Sequence, residues 1–132
     1  MLSHLSRSAA RENGFTLVEL LVVMAILGIL VAIAVPSFLA YRGRAADSAA
    51  MTNIRATLPS AEAYFLDNGT YAGMTAGALR SGYDAGLAQG VAISGTPTAT
   101  SYCVTDTEAG HVWSVLGPGV TPSSFKSNST CS

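Results

Sequence analysis

The chain has 132 residues and a formal net charge of -1, with 11% charged and 49% hydrophobic residues. This length suits one small domain rather than two. A nearly neutral chain with scattered basic residues has no electrostatic footprint for a nucleic acid, so we expect no specific nucleic-acid site. The hydrophobic fraction is high for a soluble domain, and one segment accounts for much of it.

Residues 1–14, MLSHLSRSAARENG, are polar and precede that apolar segment. They contain Arg7 and Arg11, and Glu12 is the one acidic residue among them. Positive charge just before an apolar span holds that end of a chain in the cytoplasm. We therefore predict that the N-terminus stays inside and that everything after Tyr41 lies outside.

The apolar segment runs from Leu20 to Tyr41 and contains no charged residue. Its ~22 residues would extend roughly 33 Å as a helix, enough to cross the core of a bilayer. A buried core helix is rarely apolar on all sides over such a length. A secretory signal has a shorter apolar stretch that ends in a cleavage site with small residues, and nothing after Tyr41 fits one. The segment therefore predicts a membrane-spanning helix.

The helical pattern continues beyond the apolar segment, but only one face remains apolar. Apolar residues recur three or four positions apart, at Ala50, Ile54, Leu58, Ala61 and Phe65. The charged residues Asp47, Arg55 and Glu62 fall elsewhere on the helical wheel. We predict one helix from about Phe15 to about Asp67, with Gly69 suited to its C-cap.

Three residues weaken this predicted helix. Gly28 costs roughly 1 kcal/mol relative to Ala. Pro36 and Pro59 each lack a backbone donor and clash with the preceding turn, at ~3 kcal/mol in a straight helix. We expect bends near both prolines and a stretch between Gly28 and Pro36 that can lose its helical structure.

The remainder of the chain predicts a small sheet. Residues 70–90 are rich in Gly, Ala and Ser and predict a connecting loop, with a short helical turn around Ala76–Arg80. Three strands are predicted in sequence, at Val91–Ser94, Ser101–Asp106 and His111–Leu116. Their close spacing favours an antiparallel meander, followed by a loop-like tail to Cys131. The fold class is α+β, a long N-terminal helix packed against a small antiparallel sheet.

Cys103 and Cys131 both lie in the part of the chain that is predicted to be outside. An even number of cysteines in an oxidising compartment favours a disulfide. A metal site at either cysteine lacks a second Cys or His at ligand spacing. The acidic residues Asp84, Asp106 and Glu108 are too sparse for the ~6–8 oxygens of a calcium site. We predict neither a metal nor another cofactor.

The junction between the leader and the apolar segment reads RENGFTLVEL. A basic leader ends in Gly14, Phe15 follows, and Glu19 is an acid inside an otherwise apolar helix. This combination resembles the class III signal of type IV prepilins and pseudopilins, and the resemblance extends to about Tyr41. It implies that prepilin peptidase cuts between Gly14 and Phe15 and methylates the new N-terminus at Phe15.

The same resemblance implies three regions and a pilin-like fold. Residues 1–14 would be a cleaved leader, residues 15–41 the membrane-spanning and polymerising half of the helix, and residues 42–132 an extracytoplasmic globular domain. The precursor would cross the inner membrane once and later enter a filament on the cell surface. The implied partners are prepilin peptidase, other copies of the chain, and the assembly platform and motor.

Glu19 needs a reason to lie in an apolar helix, because a carboxylate near the bilayer centre costs ~2.5–3.5 kcal/mol. Cleavage would create a cation, the ammonium of Phe15. Glu19 could pair with it in the same chain or in a neighbouring subunit, or could stay near the headgroups and favour the helix N-terminus. We expect the inter-subunit pair, because a lone buried charge costs several kcal/mol.

No catalytic arrangement stands out in the sequence, and we predict a structural protein rather than an enzyme. The resemblance implies a subunit of a type IV pilus that serves adhesion, twitching motility or DNA uptake. The alternatives are a pseudopilin of a type II secretion system and a minor or competence pilin. The Cys103–Cys131 pair favours the pilus, because pilins commonly close their C-terminal region with a disulfide.

Overall fold

A computed structural model describes residues 14–131, so the predicted leader lies outside the described residues except for Gly14. The elements, in chain order, are α1 (Leu17–Asn68), α2 (Ala76–Gly82), β1 (Ala92–Ser94), β2 (Tyr102–Glu108), β3 (His111–Gly117), a 3-10 turn (Pro122–Ser124) and β4 (Lys126–Ser127). The chain divides into two compact units, with the boundary between Phe38 and Leu39. The α+β fold class that was predicted from the sequence is confirmed.

The first half of α1 is an apolar helix whose side chains are exposed in the described chain. Its most apolar window has a mean hydropathy of 3.0, and none of that window is buried. By length and composition, α1 is the helix of the described residues that could cross a membrane. The helix runs without interruption through Gly28, Pro36 and Pro59. It begins at Leu17 and ends at Asn68, close to the predicted limits.

The second half of α1 supplies one wall of the hydrophobic core. Its buried residues are Ala46, Ala50, Ile54, Thr57, Ser60 and Ala61. Leu58 and Phe65, the other members of the predicted stripe, pack against the core while partly exposed. The rest of the core comes from the segments that follow the helix: Tyr71, Met74, Leu79, Leu87, Val91, Tyr102, Val104 and Val115. The amphipathic pattern therefore located the packed face of the helix.

The end of α1 has the predicted glycine cap. Gly69 has a φ of 69°, in the left-handed region that glycine adopts without strain. Its N–H donates to the carbonyl of Phe65 at 2.7 Å. This bond satisfies one of the last carbonyls of the helix and stops its propagation.

The segment between α1 and the sheet is organised by Arg80, at the end of α2. Its guanidinium donates to the carbonyls of Ala88 and Val91, both at 2.8 Å. At the other end of α2, the Thr75 hydroxyl accepts from the N–H of Ala78 at 3.1 Å and caps the helix. The predicted loop is therefore held by side-chain bonds to its own backbone.

The sheet of the described residues is an antiparallel meander in the order β1-β2-β3-β4. The longest pairing joins β2 and β3, with Val104 opposite Val115. The three predicted strands are confirmed, and β4 is an element that the sequence interpretation missed. It pairs with Trp113 and Ser114 of β3, so the tail is not entirely a loop.

The structure contains the predicted disulfide between Cys103 and Cys131. Cys103 is a buried residue of β2, and the Cα atoms of the two cysteines lie 5.8 Å apart. The bond joins positions 28 apart in sequence and ties the tail to the second strand.

Candidate assembly site

The start of α1 is closed by three reciprocal hydrogen bonds between Thr16 and Glu19. The backbone N–H and the hydroxyl of Thr16 donate to Glu19 Oε2 at 2.9 and 3.0 Å. In return, the N–H of Glu19 donates to Thr16 Oγ1 at 3.2 Å. This arrangement is a capping box, which satisfies backbone donors that the first turn of a helix leaves unpaired.

The capping box gives Glu19 a function that the sequence interpretation did not assign. In a single chain its carboxylate accepts bonds from Thr16 at the helix start, which agrees with the interfacial alternative for this residue. The stretch Thr16-Leu17-Val18-Glu19 has the Ser/Thr-x-x-Glu spacing of a capping box, so the signal was present in the sequence. The two proposed ion pairs of Glu19 need a cleaved N-terminus, and they stay predictions.

The predicted cleavage junction lies outside the helix. Gly14 and Phe15 precede α1 and are exposed, and 93% of the surface of Phe15 is accessible. A Cβ atom added at Gly14 would meet no atom within 4 Å among those described. The junction is therefore sterically open in the described chain.

Gly28 and Pro36, the predicted limits of a meltable stretch, lie in the exposed, continuous part of α1. A Cβ atom added at Gly28 would likewise meet no described atom within 4 Å. Pro36 has no N–H, so the carbonyl of Ala32 lacks its usual partner in the helix. The structure of one chain shows a helix here, and its behaviour in an assembly remains a prediction.

A second polar cluster joins α1 to β3. Asp47 Oδ1 accepts from Trp113 Nε1 and is bonded to His111 Nδ1, both at 2.8 Å. The bond from Trp113 lowers the pKa of Asp47 most; partial desolvation opposes this, and the bond and charge of His111 lower it further. An ionised carboxylate only accepts, so His111 Nδ1 carries the proton in this pair. The sequence interpretation placed His111 at the start of a strand and did not identify this cluster.

Asn53 of α1 connects two of the acidic residues that were considered for calcium. Its amide donates to Asp106 Oδ2 at 2.9 Å and to Glu108 Oε1 at 3.1 Å. Asp84 instead accepts from the N–H of Gly86 at 2.9 Å. Among residues 14–131, no group of three or more His, Cys, Asp or Glu side chains is arranged to hold a metal ion.

Aromatic rings form part of the core beside this helix. The centroids of Phe65 and Tyr71, and those of Tyr71 and Tyr102, are each 4.6 Å apart. The Tyr71 hydroxyl donates to Glu62 Oε1 at 2.9 Å. Burial, and then the bond and charge of Glu62, raise the pKa of Tyr71 to about 12. These contacts are packing contacts within the globular unit.

Comparison with known proteins connects the capped apolar helix to a family. Residues 9–35 match the prokaryotic N-terminal methylation motif. The chain is 34% identical, over 107 residues, to the major component of the type IV wide pilus of Thermus thermophilus, covering 80% of this chain and 82% of that protein. The chain belongs to the type IV pilin and pseudopilin family. An alignment of that length extends well beyond α1 and includes part of the sheet.

Two further members of the family match over a shorter stretch of the chain. The type IV major pilin of Myxococcus xanthus is 42% identical over 66 residues, which is 50% of this chain and 30% of that protein. The type II secretion system core protein G of Vibrio cholerae is 41% identical over 61 residues, 46% of this chain and 42% of that protein. The chain thus spans less than half of these two relatives.

Proposed function

We propose that this pilin-family chain is the structural subunit of a type IV pilus filament and polymerises through residues 15–41. The observation that carries the proposal is the bare apolar half of α1, none of whose most apolar window is buried. Exposed apolar surface of this extent needs a cover, either lipid or other apolar helices. The match to a pilus component over most of both chains supports the second cover.

Polymerisation follows if the apolar surface is buried against the same helix of other copies of the chain. A helix that leaves the bilayer enters another apolar environment, and a bundle of identical helices provides one. Repeated head-to-tail contacts that do not close into a ring produce an open helical filament. The globular domain, residues 42–132, would then coat the outside of this homo-oligomer. Adhesion, twitching motility and DNA uptake are outputs of such a filament.

Before assembly, the chain would be a single-pass precursor in the inner membrane with its N-terminus in the cytoplasm. The basic residues of the leader, 1–14, support this orientation. The open junction at Gly14 and Phe15 suits a peptidase that cuts after Gly14 and methylates Phe15. Extraction from the membrane would require the assembly platform and its motor.

Glu19 would change partners during assembly. In the membrane, its bonds to Thr16 keep the carboxylate at the helix start. In the filament, the Phe15 ammonium of a neighbouring subunit would offer an opposite charge in a dry helix bundle. Because an unpaired buried charge costs several kcal/mol, this pair would reward the correct register between subunits.

A type II secretion pseudopilin is the second candidate, favoured by the match to core protein G. That match covers only 46% of the chain, whereas the pilus match covers 80%. A minor or competence pilin would share the same helix. The family is structural rather than catalytic, and no enzyme activity is proposed.

The test is expression of the tagged chain with a complete set of pilus assembly proteins. Sheared material is then examined by electron microscopy with antibody labelling. Labelled long filaments that require the assembly motor would support a pilus subunit. Labelled filaments formed only with type II secretion proteins, or none with either set, would overturn the proposal.

A further inference from the structure

We propose that a buried water molecule bridges strand β3 and the C-terminal tail of the chain. Its site is a cavity of about 40 Å³ between these two segments. The cavity is lined by Ser114, Val115, Leu116, Ser124, Lys126 and Cys131. The proposal concerns the globular unit alone, and it is independent of the proposed function.

The side chain of Ser114 lies on the face of the sheet that the tail covers. Side chains alternate between the two faces along a strand, and Val115 belongs to the core, so Ser114 faces away from the core. Leu116, two positions further on, shares this face with its cross-strand partner Cys103. The disulfide from Cys103 to Cys131 therefore holds the tail over the face on which Ser114 lies.

The hydroxyl of Ser114 is a buried polar group that needs a partner. Ser114 is 0% exposed, and its Oγ has no hydrogen-bond partner among residues 14–131. A buried hydroxyl that makes no hydrogen bond destabilises a fold, so such groups bond to protein or to ordered water. A water molecule takes up about 30 Å³ in the liquid, so the cavity beside Ser114 has room for one.

The backbone of Leu116 supplies further partners. The N–H of Asn128 in the tail donates to the carbonyl of Val112 at 2.8 Å, so the backbone groups of Val112 face β4. The direction of these groups alternates along a strand, so those of Ser114 and Leu116 face the same edge. Ser114 pairs with Lys126 in β4, and Leu116 lies beyond this last pairing. The N–H and the carbonyl of Leu116 are therefore directed to the tail without a partner in β4.

Ser124 explains why the pairing stops at this point. In the register of β3 and β4, Ser124 would be the next residue opposite Leu116. Its N–H is instead donated to the carbonyl of Thr121 at 2.9 Å, within the 3-10 turn. Both Leu116 and Ser124 line the cavity. A water molecule there would replace the missing rung of the ladder and join Leu116 to the tail at Ser124.

Water has the hydrogen-bonding capacity that these groups need. The Ser114 hydroxyl donates or accepts, the Leu116 N–H donates, and the Leu116 carbonyl accepts. These groups give a water molecule about three partners, the usual number for a buried water. A chloride ion could accept from the two donors, but the Leu116 carbonyl would face it with a partial negative charge. The site therefore favours water, which attaches the tail to the sheet beside the disulfide.

The direction of a change in melting temperature distinguishes a hydrated hydroxyl from an unpartnered one. Ser114→Ala in the full-length, detergent-solubilised chain should lower the melting temperature by about 3–4 °C, because the bond to the water is lost. If the hydroxyl had no partner, alanine would remove a destabilising group and the melting temperature would rise. Ser127→Ala, at an exposed serine of β4, is the matched control and should change it by no more than about 1 °C.

Oxygen-17 relaxation dispersion of the solvent counts long-lived water molecules directly. We expect Ser114→Val, whose methyl groups take up the space and remove the hydroxyl, to lose one such water relative to the wild type. Ser127→Val should lose none. The melting test requires only Ser114→Ala, so the proposal stays testable if valine does not fold at position 114.

A higher melting temperature for Ser114→Ala, or an unchanged count of long-lived waters in folded Ser114→Val, would overturn the proposal. Chloride that saturably stabilises the wild type but not Ser114→Ala would assign the site to an anion and would also overturn it. Neither measurement involves filaments, so failure here leaves the pilus proposal standing.

Discussion

The indole of Trp113 donates a hydrogen bond to Asp47 and so joins β3 to α1 across 66 positions of the sequence. Asp47 lies six residues after the end of the uncharged segment, at the start of the packed part of the helix. This bond therefore anchors the sheet close to the point where the chain would emerge from the membrane.

Trp113→Phe keeps a ring of similar character but removes the donor to Asp47. We expect the melting temperature of the detergent-solubilised chain to fall by about 3 °C at pH 7. The lowered pKa of Asp47 means that the ionised carboxylate stabilises the fold above its ordinary value of 3.8. That contribution is lost as the pH falls through the lowered pKa of the folded state.

The difference in melting temperature between the wild type and Asp47→Asn should therefore be present at pH 6 and shrink as the pH falls below 3.8 and through the lowered pKa of the folded state. Circular dichroism melts across this range give the measurement. A difference in melting temperature that grows as the pH falls below 3.8 would show that Asp47 is not stabilised in its charged form.

Thr16 and Glu19 allow the two functions of Glu19 to be separated. Thr16→Ala removes the capping box, at a cost of about 1 kcal/mol at the helix start, but leaves the Glu19 carboxylate in place. We expect cleaved Thr16→Ala subunits to assemble at near-normal yield. Cleaved Glu19→Ala subunits should insert in the membrane and yield at least about tenfold fewer filaments.

Immunoblots of sheared filaments and of membrane fractions measure filament yield and membrane insertion. A substitution at Gly14 is the control. A bulky residue at Gly14 should stop cleavage and accumulate precursor without the Phe15 ammonium. Equal assembly defects in Thr16→Ala and Glu19→Ala would show that Glu19 acts in assembly through helix capping and not through an ion pair.

The disulfide joins Cys103 and Cys131, which are 28 positions apart in the sequence, and closes the loop between them. In the chain-entropy model such a bond is worth roughly 3–4 kcal/mol. We expect the double variant Cys103→Ser, Cys131→Ser to melt at a clearly lower temperature, and reduction of the wild type to produce a similar decrease. Peptide mapping without reduction should recover the linked pair; free thiols in mature filaments would contradict the assignment.

The stretch between Gly28 and Pro36 is helical in the single chain, and we predict that it loses helical hydrogen bonds in the filament. The physical reason is that the Ala32 carbonyl has no donor at Pro36 and that Gly28 adds conformational freedom. A cryo-electron microscopy map of the filament shows the outcome directly. Continuous helix through Ile29–Val35 would refute the prediction, and Pro36→Ala should favour that continuous state.

Much of the fold was predictable because its signals are local. The uncharged segment, the three-to-four spacing from Ala50 to Phe65 and Gly69 after the last turn each specify structure within a few residues. The meander followed from three short β-rich stretches in succession. By contrast, β4 has only two residues in a Ser-rich tail, and its pairing with β3 has no alternation to reveal it.

The polar clusters were less predictable, for a different reason. Asp47 and His111 are 64 positions apart, and their contact depends on how β3 docks on the helix. A helical wheel could show that Asp47 leaves the apolar face but could not show its partner. The capping box of Thr16 and Glu19 is the opposite case, since its signature was local and the apolar context of Glu19 drew attention to membrane burial instead.

The central claim is that this chain is processed at Gly14 and built into a filament. The most direct measurement is the intact mass of the tagged subunit recovered from purified sheared filaments. We predict the mass of residues 15–132 with one added methyl group and one disulfide, together with the tag. Recovery of the chain only in the membrane fraction, at the mass of the uncleaved precursor despite active assembly proteins, would contradict the account.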